Sequence, residues 1–169
     1  MRTVEAPRIT TERLVLRPLE MGDHAAYLAF VTSERARYMG GPHDADMAWQ
    51  WLTNDVALWA LQGFGGLAVT HEGALVGQVS VTQGIDFPEP ELGWFLFEGH
   101  EGHGYAREAA TALRGWMLTE ERVQSLVSYI DRANDRSMRV ASALGAVRDD
   151  AAARPEGSNC YVYRHEVAA

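Results

Sequence analysis

The sequence predicts a mixed α+β fold in one domain, and three observations carry that prediction. Apolar residues recur at helical spacing in four segments and form short strand-like runs elsewhere, so neither element dominates. Two central runs are joined by a short turn, as in an antiparallel meander, whereas two consecutive strand–helix units occupy the C-terminal half. The chain has 169 residues, 47% hydrophobic and 22% charged, which suits one buried core and disfavours disorder, a collagen-like repeat or a coiled coil.

Leu14-Val15-Leu16-Arg17 reads as the first strand, ended by Pro18. Asp23 caps a helix carrying Ala26, Tyr27, Phe30 and Val31, and Gly40-Gly41-Pro42 breaks the chain after it. A second helix runs from about Asp44 to Leu61 and stops at Gly63. Its Trp49, Trp51 and Trp59 are expected to pack inward, with the wall of a substrate pocket as the alternative. Phe64 to Thr70 and Ala74 to Thr82 form a hairpin across His71-Glu72-Gly73, in which Gly73 takes the turn conformation closed to other residues. Gln83 to Pro90 is a loop. The fourth strand, Glu91 to Phe97, is apolar without alternation, which predicts burial on both faces at the centre of the sheet.

Ala106, Ala109, Ala110, Leu113, Trp116 and Met117 mark a helix that ends near Glu120, and Leu126 to Ile130 is a fifth strand. Asn134 caps the next helix, with Met138, Val140, Ala141 and Leu144 on its apolar side and Gly145 at its stop. Ala146 to Arg148 is a brief strand, and Asn159 to Val167 alternates enough to close the sheet.

Composition excludes several function classes. Fifteen basic against 23 acidic residues give a net charge of −8, against phosphate-backbone binding and so against a nucleic-acid partner. Every basic residue is arginine, so there is no lysine for a Schiff base or for a P-loop. The single cysteine, Cys160, rules out an internal disulfide and is expected to be a buried strand residue. No apolar run spans a bilayer and the start, Met1 to Glu5, lacks a secretory leader, which leads to the expectation of a cytoplasmic protein without a membrane partner. His100 and His103 lack both zinc spacing and a third ligand, so no metal is expected.

The chemistry is concentrated in Glu101-Gly102-His103-Gly104-Tyr105-Ala106, a glycine-rich turn between an apolar strand and an amphipathic helix. Small residues let backbone N–H groups approach a ligand, and a helix N-terminus adds partial positive charge, so the turn suits a pyrophosphate. A dinucleotide fingerprint is incomplete here, because the third glycine is absent and a meander precedes the turn. The segment resembles the GNAT acetyltransferase signature Gln/Arg-x-x-Gly-x-Gly/Ala, with Gly104 and Ala106 in the small positions and Glu101 departing from the first. Thr11 to Pro18 is similar to the opening of the Rim-type branch, the ribosomal-protein N-terminal acetyltransferases and their small-molecule relatives. Glu91-Leu92-Gly93-Trp94, Gly104 to Ala109, and Asn134-Asp135-Arg136-Ser137 through Gly145 follow in the family's order.

The resemblance implies a twisted, mostly antiparallel sheet of six to seven strands and about four helices. A V-shaped split between the fourth and fifth strands would hold acetyl-CoA. It further implies that pantetheine pairs with backbone near Trp94 and Leu96, that the backbone amides of Gly102, His103, Gly104, Tyr105 and Ala106 hold the pyrophosphate with Glu101 at the head of the turn, and that Arg107 adds charge there. Asn134 and Ser137 match the family's Asn-x-x-Ser, the amide toward pantetheine and the hydroxyl toward sulfur; their spacing equally suits a helix cap.

Amide formation from a thioester needs a neutral amine, oxyanion donors and a proton for the thiolate. Glu91 is the candidate base, a backbone N–H near Leu96 the oxyanion donor, Ser137 the group near sulfur and Tyr129 the reserve proton donor. The expected activity is acetyl transfer from acetyl-CoA to a primary amine, on a peptide N-terminus or a small molecule. Asp86, Glu89 and Glu91 are expected to rim the cleft and draw in the ammonium. The rivals are a CoA-binding regulatory domain without chemistry and a nucleotide-dependent oxidoreductase. A homodimer is allowed if aromatic residues of the second helix or the closing strand are exposed.

Overall fold

The computed structural model describes residues 5–167; Met1 to Val4, part of the segment read as lacking a leader, lie outside them. The elements are β1 (Ile9–Thr10), β2 (Leu14–Pro18), α1 (His24–Val31), α2 (Ala45–Gln62), β3 (Gly66–His71), β4 (Ala74–Thr82), β5 (Glu91–Leu96), α3 (Tyr105–Thr119), β6 (Val127–Ile130), α4 (Asp135–Ala143), β7 (Val147–Arg148) and β8 (Tyr161–Arg164). Single 3-10 turns at Met21–Asp23 and Glu34–Met39 flank α1. Among the described residues no helix is long and apolar enough to cross a membrane.

One eight-stranded sheet runs β1-β2-β3-β4-β5-β6-β8-β7. Every pairing is antiparallel except β5 with β6, which is parallel and registers only at Glu91 against Val127. The strand beyond the expected six or seven is the two-residue β1. The hairpin turn between β3 and β4 uses positive φ at both central positions, Glu72 at 49° and Gly73 at 82°, so a non-glycine residue shares the conformation expected of Gly73 alone.

The two faces of the sheet carry different helices because β4 alternates. Val79 and Val81 point to the face where Leu92 meets Ala109, Ala110, Leu113 and Met117 of α3, all almost fully buried. Gln78, Ser80 and Thr82 point to the other face. There Tyr27, Phe30 and Val31 of α1 and Leu52 of α2 pack with Phe97, and Phe30 stacks on Phe95 at 4.3 Å. Truncating a buried Leu113 or Met117 to alanine is a change of the size that costs about 2–5 kcal/mol.

Glycine lets α2 sit directly on the sheet. A Cβ at Gly65 would stand 2.4 Å from the Asp55 carbonyl oxygen and one at Gly66 would stand 2.7 Å from the Asp55 side chain. Trp59 fixes this approach by donating its indole N–H to the Gly66 carbonyl at 2.9 Å. Of the three tryptophans expected inside, Trp59 alone is core; Trp49 is 45% exposed and Trp51 lines a cavity. The inward stripe of α2 holds fewer large residues than three tryptophans at helical spacing suggest.

The fourth predicted strand takes its expected central place, between β4 and β6, but not its expected burial. In β5 only Leu92 is buried, and the remaining residues are half-buried. Its apolar run lines open space, because β6 diverges from it immediately after the Glu91–Val127 pair. At the divergence Ser128 donates its hydroxyl to the Leu92 carbonyl at 2.6 Å and contacts His165 Nε2 at 2.9 Å. A side chain thus caps a carbonyl that the parted backbone leaves behind. Burial holds the His165 imidazole down to about 4, so this pair stays uncharged at neutral pH.

Candidate active site

Two cavities flank the split. The first, about 540 Å³, lies beyond the divergence of β5 and β6 and is lined by Trp94, Leu96, Glu101, Gly102, Gly104, Tyr105, Ala106, Arg107, Asn134 and Ser137 among others. The second, about 1220 Å³, lies between α2, β4, β5 and β6 and includes Asp55, Gln78, Ser80, Glu91 and Tyr129. They share Tyr38, Met39, Trp94 and Phe95.

The backbone of β5 explains what faces the first cavity. Phe97 N–H bonds the Val76 carbonyl of the β4 side, so by alternation the amides of Trp94 and Leu96 point toward β6, where the ladder has ended. The Leu96 carbonyl accepts from Arg35 Nη2 at 2.9 Å, leaving its N–H for the cleft.

The turn before α3 has Gly102 at φ 83° and Gly104 at φ 78°, a region that favours glycine. Gly104 is the N-cap of α3 and contributes no side-chain bond, so the first N–H groups of the helix stay open to a ligand. Arg35, Arg37, Arg107, Arg136 and Arg139 line the same cleft, a concentration of positive charge in a chain of net charge −8. Open amides at a helix N-terminus, glycines without obstructing Cβ atoms, and arginine suit a pyrophosphate joined to an amide-bearing chain.

Glu101, the residue that departs from the signature, is held by Arg35. Burial raises its carboxyl, but Arg35 and, more distantly, Arg136 outweigh this and keep it ionised below the usual range. Asn134 caps α4: its Oδ1 accepts from Ser137 N–H at 3.2 Å and its Nδ2 donates to Ser137 Oγ at 3.1 Å. Both nonetheless line the cleft. His103 does not: its exposed ring stacks on Tyr105 at 5.3 Å, and its carbonyl accepts from Arg13. What His103 has to offer a pyrophosphate is therefore its backbone N–H, the group expected of it, and not its ring.

In the second cavity, Glu91 heads β5, and desolvation raises its carboxyl to about 7, with the Tyr129 backbone pulling it down less. The Tyr129 hydroxyl is buried without a hydrogen-bond partner among the described residues, and burial raises its pKa. The acidic rim expected from Asp86, Glu89 and Glu91 does not form. Arg164 holds Glu89 by two bonds of 2.8 and 2.9 Å and lowers its carboxyl, while Asp86 is exposed and lies outside the cavity wall. The cavity's other acids are Asp55 and Asp131. Asp55 is 9% exposed and raised by burial to about 7. It was legible as an acid three residues from both Leu52 and Leu58 on the inward side of a helix. Arg35 and Gln78 had no such signal.

Among the described residues no cluster of three or more His, Cys, Asp or Glu side chains is arranged to hold a metal ion. A family model described as Acetyltransferase (GNAT) domain matches residues 13–147. An acetyltransferase from Agrobacterium tumefaciens is 42% identical, with a TM-score of 0.92 over 96% of this chain and 95% of that one. A RimL ribosomal-protein alpha-N-acetyltransferase, solved in complex with coenzyme A, is 15% identical with a TM-score of 0.75 over 95% and 98%, a likeness of fold. The uncharacterized protein YkkB of Bacillus subtilis is 28% identical over 82% of this chain and 84% of its own length. The chain belongs to the GNAT acetyltransferase family.

Proposed function

We propose that the protein transfers an acetyl group from acetyl-CoA to a primary amine, with both substrates bound together. The observation that carries the reading is the meeting of the two cavities at Trp94, one lined by arginine and open amides and the other by carboxyls. An anion and an amine would approach the same stretch of β5 from opposite sides.

Acetyl-CoA supplies an acyl group on a good leaving group. Its pyrophosphate would be held by the amides from Gly102 to Ala106 with Arg107 and Arg136, and its amide-bearing arm by Trp94 and Asn134. The Leu96 N–H is the donor for the developing oxyanion. Glu91, with a carboxyl near 7, is matched to removing a proton from an ammonium, directly or through water, at neutral pH. Ser137, which lines the cleft, would lie near the departing sulfur, and Tyr129 on the amine side is the reserve donor. The departure at Glu101 does not favour a binding-only domain, since Arg35 and Arg136 offset its charge.

Incubation with acetyl-CoA and a panel of primary amines, followed by thiol release and mass spectrometry of the product, tests the reading. Thiol release matched one-for-one by acetylated amine is expected. Tight coenzyme A binding with no turnover on any amine would replace it with the regulatory alternative.

A further inference from the structure

We propose that Asp55 holds a second basic nitrogen of the acceptor, so that the substrate is a dication whose two basic nitrogens are joined by an apolar spacer. This deepens the acceptor-site reading of the larger cavity and rests on it.

The floor of that cavity is a stripe of paired residues on β4 and β5: Gln78 against Phe95, Ser80 against Gly93, and Thr82 against Glu91. Glu91 stands at one end and the Asp55–Gln78 pair at the other. Gln78 and Thr82, which mark the two ends on β4, are four residue steps apart, about 13 Å of extended chain. Between the two ends the floor is open, since a Cβ at Gly93 would meet nothing nearer than Ser80 Oγ at 3.6 Å.

Asp55 has an unfilled side. Tyr27 donates to its Oδ2 at 3.2 Å and Gln78 Nε2 donates to the same oxygen at 2.6 Å. Oδ2 is also the atom pressed toward Gly66. Oδ1 has no hydrogen-bond partner among the described residues, although the residue is nine-tenths buried and lines the cavity. Anchoring α2 to the sheet needs only Oδ2. Oδ1 is not one of the unpartnered side-chain atoms sealed from solvent, so it opens on the cavity and can accept from a donor bound there.

Charge supports the same donor. Asp55, Glu91 and Asp131 line the cavity against a single cation, Arg132, which lies over the Tyr161 ring at 4.8 Å. No arginine is bonded to Asp55 among the described residues. The aromatic walls, including Trp51 and Phe95, suit an apolar linker and can face a cation with their rings.

The test compares α,ω-diamines of increasing length with monoamines of matched length, on the wild type and on Asp55→Asn. Affinity is read by calorimetry on the coenzyme A-saturated protein, and kcat/KM by thiol release. Asparagine keeps an acceptor for Tyr27 and Gln78 while turning a donor toward the cavity. The wild type is expected to show a length optimum and to bind that diamine at least tenfold tighter than the monoamine. In Asp55→Asn that preference is lost, because KM for the diamine rises at least tenfold more than KM for the monoamine, while coenzyme A affinity, which reports on the intact fold, is retained. Equal weakening of both amines, or no preference for a second nitrogen in the wild type, overturns the proposal. Asp55-dependent diamine binding without acetylation would reject the acetyl-transfer reading alone, whereas monoamine turnover with Asp55→Asn silent would reject this proposal alone.

Discussion

The two cavities that meet at Trp94 are made from different materials. The smaller one presents backbone: open amides of β5, a glycine turn and the start of α3, surrounded by arginines. The larger one presents side chains, with Asp55, Gln78, Glu91 and Tyr129 arriving from four separate elements. The first can recognise the invariant parts of a cosubstrate, phosphate and amide, without any particular side chain at most positions. On the proposed reading the second would set which acceptor fits, because its carboxyls, amide and hydroxyls belong to replaceable side chains.

The contrast is sharpened most by Glu91→Gln. The raised carboxyl is half ionised at about 7, so wild-type kcat/KM is expected to rise with pH through that value. The variant loses this inflection and falls about 100-fold near pH 7.5, with the deficit narrowing toward pH 10 as free amine becomes abundant. Coenzyme A affinity should stay unchanged. A deficit that is the same at every pH would make Glu91 a binding residue only.

Gly104→Val should do the reverse, damaging the backbone-built side alone. At 100-fold excess over its dissociation constant, acetyl-CoA is expected to stabilise the wild type by about 2.7 kcal/mol. The variant forces a branched side chain into φ 78° at the helix start and should lose most of this increment. The increment, read by thermal unfolding with and without ligand, is independent of any change in the stability of the unliganded fold. A full increment in the variant would break the division between the two sites.

The smallest effect concerns stability. Asp55 is raised from 3.8 to about 7 by burial, so the folded state holds its proton more tightly than the unfolded chain. Stability is therefore intact below about pH 4 and declines as pH rises to 7. Asp55→Asn removes the titration and should be more stable than the wild type at pH 8, an advantage that disappears near pH 4. Urea unfolding at both values measures it. A variant less stable at pH 8 would show instead that the ionised Asp55 holds α2 in place.

The sequence alone determined the mixed architecture, the glycine turn and the caps of α2 and α4, because each depends on neighbours within a few residues; at α1 the expected cap does not form, since Arg17 holds both carboxylate oxygens of Asp23. Asn134 to Ser137 and Gly102 to Ala106 carry their geometry locally, through a cap and through positive φ. Glu91 was readable at the head of an apolar strand. Tertiary structure decided what no local pattern holds. It turned the apolar run of β5 from a buried centre into a cleft wall when β6 diverged, and it left Trp51 lining a cavity while Trp59 packed on the sheet. It neutralised Glu89 with Arg164 and brought Arg35 to Glu101, partners 75 and 66 residues away in the chain. It also lowered Asp55 onto Gly66 and Gln78. Charge acts through space, and the distances that decide which carboxyl is paired and which is left open are fixed only when the sheet and its helices have packed.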